Sequence, residues 1–189
     1  MIDENAFGLL VAYYTVEDDE YALERAEFVE RFGLFRDTLL EYLREEPPGR
    51  GVWALHLGHA TYLELSEEEC GEPIEWLKQI RAWLDGRGFL SVAILSHGSR
   101  WVPGGEGPDL DRHAATSSAT WEHASWPSEP LRRALYADAA SRPEQSDERE
   151  GWGPGLYIDT EAIEAMGRKL KNAPTPLMAS GATFYRMGR

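Results

Sequence analysis

Cysteine is almost missing from this chain: Cys70 stands alone among 189 residues. One thiol excludes an intrachain disulfide framework and leaves nothing for a cysteine-built zinc or iron–sulfur centre. No apolar run approaches the roughly 20 residues that a bilayer crossing requires. The opening stretch MIDENAFG is acidic and lacks the basic flank of a secretory signal, so a cytoplasmic address without membrane contact is expected. Basic residues are scarce as well, 19 Lys and Arg against 33 Asp and Glu, for a net charge of −14. Such a chain is repelled by phosphate backbones, which argues against a nucleic-acid partner.

The usual catalytic signatures are missing too. There is no G-x-S-x-G nucleophile elbow. GGEG, at residues 104–107, lacks the lysine and the strand-to-helix setting of a phosphate loop. GWGPG, at 151–155, carries a proline and follows a loop, so it is no dinucleotide fingerprint. No catalytic set and no cofactor is assigned.

What is present reads as an α+β chain. AFGLLVAYYTV barely alternates, as a strand buried on both faces does. Phe28, Phe32, Phe35, Leu39 and Tyr42 then recur at spacings of four and three, the inner stripe of a long helix that Gly33 is expected to kink or split. VWALHLGHATYLELS is dense in strand formers and long enough for a hairpin turning near Gly58 and His59. Ser66 and Glu69 have capping-box spacing, but Pro73 is the better opening for the next helix, with Ile74, Leu77, Ile80 and Leu84 inward. FLSVAILSH is a central strand. The first half is therefore βαββαβ, a split-βαβ layout. Further on, Ser128 is placed to cap a helix, LYID precedes another, and PLMASGATFYRM reads as a closing hairpin. A single α+β domain over 1–189 with a mixed sheet and helices packed on it is expected, with surface loops at 103–113 and 142–155.

The polar end of the central strand is the natural place to look for chemistry. His97 follows Ser96 and precedes Gly98, just where many sheet enzymes hold a base. LSHG is similar to the histidine motif of caspase-type cysteine peptidases, in which strand, Ser, His and Gly follow in that order. That resemblance implies a nucleophilic cysteine at the end of a later strand. Cys70 instead precedes the histidine, inside an acidic EEEC run that opposes a thiolate. Ser96 and His97 point to opposite faces of a strand and make no nucleophile–base pair. The expected role of His97 is to terminate a buried strand and satisfy its hydrogen bonds locally.

DLDRH offers a second constellation. If extended, Asp109, Asp111 and His113 project to one side, and His97 is placed to join them around a metal that activates water. The bland reading is a Gly/Pro-rich loop whose aspartates serve turns. His56 and His59, three apart, fall on opposite strand faces unless a turn intervenes and are read as structural.

Charge is concentrated near the start: residues 1–50 hold 13 acidic and five basic residues, whereas 151–189 hold three and five. Glu20, Glu24 and Glu27 share one helix face, and Trp101 sits among Arg100, Glu106 and Asp109. Trp121, Trp126 and Trp152 also fall in or near loops, where tryptophan is a candidate anchor. The expected function is an acidic protein-binding domain without catalytic activity, an immunity or inhibitor protein that neutralises a basic partner such as a toxin enzyme. A metal-dependent hydrolase built on Asp109, Asp111, His113 and His97 is the alternative. A third reading is a small-molecule sensor with its ligand on the open face of the split βαβ layout.

Overall fold

β1 (Glu4–Tyr13) buries both of its faces, as its unbroken apolar run demands. Phe7, Leu9, Val11 and Tyr13 enter one apolar cluster, and Leu10, Ala12 and Tyr14 enter another. A strand with both faces buried needs layers on either side of its sheet, and the computed structural model supplies them. It describes residues 4–15, 25–49, 53–100, 128–142, 152–168, 175–179 and 181–188.

The order is β1, α1 (Arg25–Glu45), β2 (Trp53–His56), β3 (Ala60–Ser66), α2 (Pro73–Asp85) and β4 (Ser91–Arg100), the expected βαββαβ. α3 (Glu129–Ser141), β5 (Gly155–Asp159), α4 (Thr160–Ala165), β6 (Pro176–Ala179) and β7 (Ala182–Met187) follow. One mixed sheet of seven strands runs β2-β3-β1-β4-β5-β7-β6. β1 lies antiparallel to both β3 and β4, whereas β4 and β5 are parallel. Among the described residues no helix is long and apolar enough to cross a membrane.

α1, α2 and α4 cover one face through Phe35, Leu39, Leu77, Ile80, Ala162 and Ile163. α3 covers the other through Leu131, Ala134, Ala137 and Ala140. α1 continues unbroken through Gly33, so the expected kink does not occur: packing of the Phe35–Leu39–Tyr42 stripe outweighs one glycine, which costs a helix only about 1 kcal/mol. Pro73 opens α2 as expected, and Ser66 Oγ instead donates to Glu69 in the turn before it. The hairpin turns at Gly58, whose φ of 67° suits glycine.

The small residues of α3 bring it close to the sheet, and Gly8 in β1 makes room for its first turn. A Cβ built at Gly8 would stand 2.6 Å from Tyr62 Oη and 2.8 Å from Pro130 Cβ. Gly8→Ala is therefore expected to lower stability by about 1–3 kcal/mol through overpacking. Urea denaturation measures it, and an unchanged midpoint would show that α3 is not held at that spacing.

Candidate ligand site

The first turn of α3 is fastened by a buried polar group. Ser128 caps the helix by accepting from Leu131 N at 3.4 Å, and its hydroxyl donates to Glu64 Oε2. Tyr62 Oη donates to the same carboxylate oxygen at 2.6 Å. Ser96, on the α3 face of β4, donates to Pro130 O at 2.7 Å. These bonds set where Glu129, Arg132 and Arg133 stand.

Arg133 joins three elements at the carboxyl end of the parallel pair β4–β5. Its Nη1 donates to His97 O at 2.9 Å, and its Nη2 donates to Glu129 Oε1 at 2.6 Å. Asp159 Oδ2 lies 3.5 Å from Nη1, and Glu161 Oε2 lies 3.0 Å from it without hydrogen-bond alignment. Asp159 is wholly buried and caps α4 by accepting from Ala162 N at 2.7 Å. It also accepts from His97 N at 3.2 Å. Burial pushes its carboxyl up to about 7; the two backbone donors and Arg133 pull the other way, and Glu161 adds to the rise. Gly98 completes the fit, since a Cβ there would come within 2.8 Å of Glu129 Oε2.

On the solvent side of this network, between α3 and the β6–β7 turn, lies a half-open cleft of about 360 Å³. Glu129, Arg132, Arg133, Tyr136, Gly181 and Ala182 line it. Arg132 and Tyr136 are one helical turn apart and both exposed. Arg132 makes no ion pair among the described residues.

His97 itself points to the opposite face of the sheet. Its ring packs on Phe7 at 5.0 Å, and Nε2 is bonded to Glu67, 30 residues earlier in the chain. It is buried in the strand as expected, but it does not end it, because pairing with β1 carries β4 on to Arg100, and its partner comes from the turn after β3 and not from its neighbours. Cys70 in that turn is no thiolate, and the cause is burial, which pushes its thiol up to about 12. His56 and His59 do not meet: His56 pairs with Thr61, and His59 with Asp138. Asp138 is shared with Arg142 at 2.8 Å, fastening the end of α3 to the β2–β3 turn. Burial by itself would raise the Asp138 carboxyl, but His59 and Arg142 outweigh it and hold it below the ordinary value.

Of the acidic face proposed for docking, Glu27 is exposed in the first turn of α1. Glu20 and Glu24 lie outside the described residues, as do Trp101, Glu106, Asp109, Asp111, His113, Trp121 and Trp126. Among the described residues no three His, Cys, Asp or Glu gather into a metal-binding group. Trp152, read as a loop anchor, is instead buried and stacked on Tyr157 at 4.8 Å. The arginine pair of α3 went unremarked in the sequence because LRRAL reads as the solvated side of an amphipathic helix. Its one available signal is the capped, alanine-rich helix that carries it.

No family model and no curated protein matches the chain. Solved structures do. The adenylyl cyclase CyaB from P. aeruginosa is similar with a TM-score of 0.52 at 7% identity, covering 98% of this chain and 94% of that one. The guanylyl cyclase Cya2 is similar with a TM-score of 0.47 at 10% identity, covering 98% and 93%. The first likeness is one of fold, and it runs through nearly the whole chain. It corrects the expectation of a non-catalytic immunity or inhibitor protein: the fold is similar to that of an adenylyl cyclase. The physical reason for the error is that acidity and loop tryptophans describe a surface, and a surface does not identify the fold beneath it.

Proposed function

We propose that this chain is a nucleotide-binding domain. The observation that carries the reading is the fold it shares with the adenylyl cyclase CyaB across 98% of its length. The chain's own residues support it locally. A molecule with a net charge of −14 repels phosphate in general, so a nucleotide site must supply its own cation and be screened from the surrounding carboxylates. The α3 cleft does this with an arginine whose neighbour, Arg133, occupies the nearby Glu129 and Glu161. The reading is one of binding first, since the His97–Glu67 pair has its ring on the far face of the sheet from α3.

Titration calorimetry of the full chain with adenine and guanine nucleotides, with and without magnesium, tests it. Saturable one-to-one binding with a Kd between about 1 µM and 1 mM is expected. Chromatography of the same mixtures reports any turnover. If no nucleotide binds below about 1 mM, the reading fails.

A further inference from the structure

The cleft beside α3 has a charge pattern that selects among nucleotides. Among the described residues five ionisable groups meet at or beside it: Arg132 and Arg133 against Glu129, Asp159 and Glu161. Arg133 is consumed, because its fork is held by His97 O and Glu129 while Asp159 and Glu161 crowd the same guanidinium. Among the described residues one uncommitted guanidinium, that of Arg132, therefore lines the cleft, with carboxylates close by. A ligand with a single negative charge is matched by Arg132. Among the described lining residues each further phosphate finds no second free cation and meets Glu129.

The shape points the same way. At about 360 Å³ the cleft lies near the lower end of small-molecule sites, which run from about 300 to 1,000 Å³, and this favours one phosphate over three. Tyr136 is 48% exposed, although it is an aromatic on a helix whose other face is packed. It stands one turn from Arg132 along the same side, so a planar base is offered a stacking surface beside the cation. Opposite, Gly181 at φ 81° and Ala182 form a wall with little side chain, which leaves room for a rigid ring system. Glu129 is an acceptor for a base amino group or a ribose hydroxyl.

We infer that this cleft takes a cyclic mononucleotide, a phosphodiester with one negative charge and a planar base, with Arg132 on the phosphate and Tyr136 under the base. The inference rests on the nucleotide reading and narrows it: the ligand carries a single negative charge, and its site lies on the α3 face.

The test is a competition series on the full chain with cyclic AMP, cyclic GMP, AMP and ATP, repeated with Arg132→Gln, Tyr136→Ala and Tyr136→Phe. Both residues are exposed, so these variants keep the fold, and circular dichroism checks that they do. A cyclic mononucleotide is expected to bind at least tenfold tighter than ATP. Arg132→Gln and Tyr136→Ala are each expected to weaken it about tenfold, and Tyr136→Phe to retain binding. If ATP binds tighter, or if the variants leave cyclic nucleotide affinity unchanged, the inference is overturned while the nucleotide reading stands. If no nucleotide binds at all, both fall together.

Discussion

Replacing Arg133 by methionine is expected to cost about 3–5 kcal/mol, the price of leaving a buried charge without its partner. Only 17% of its side chain is exposed, yet it neutralises Glu129 and crowds Asp159 and Glu161 while tying α3 to His97 O. Lysine is not expected to substitute well, because one ammonium cannot reproduce a fork that reaches a carbonyl and a carboxylate at once. The cost should also depend on pH. Where Asp159 is neutral, losing the guanidinium strands less charge, so Arg133→Met should be milder at pH 5 than at pH 8. Denaturant titrations at both pH values measure this. A loss below about 1 kcal/mol at pH 8 would mean that the network is a surface ornament.

The second large effect belongs to Asp159. Its carboxyl is raised from 3.8 to about 7 in the folded chain, chiefly by burial. Between those values the folded state holds a proton that the unfolded state has released. The group's contribution is therefore fully present below about pH 4 and is lost as pH rises through about 7, on the order of 4 kcal/mol in all. With 33 acidic residues in the chain, the clean observable is a difference. The stability of the native chain relative to Asp159→Asn should fall as pH rises across that window. Asparagine still accepts from Ala162 N, so α4 keeps its cap. A pH-independent difference would contradict the assignment.

Much of the fold was legible because its signals are local. The Phe35–Leu39–Tyr42 stripe, Pro73 at a helix start, Ser128 as a cap and Gly58 in a hairpin each state their structure within a few residues. The site was not legible for the opposite reason. Arg133 meets Asp159 and Glu161 across 26 and 28 positions, and His97 meets Glu67 across 30. No periodicity records such pairings. Gly8 and Gly98 likewise look like interruptions in apolar strands. Their role appears only when Pro130 and Glu129 arrive from another element. Acidity misled for a related reason: it marks what the surface repels, whereas the α3 cleft is marked by Arg132, which the acids among the described residues leave uncommitted.

The most direct measurement of the account is an amide NMR spectrum of the full chain titrated with cyclic AMP. The expected result is a saturable set of shifts centred on Arg132, Arg133 and Tyr136 of α3 and on Gly181 and Ala182 at the β6–β7 turn. A spectrum that does not move, or one that moves only around His59, Asp138 and Arg142 at the other end of α3, would contradict it.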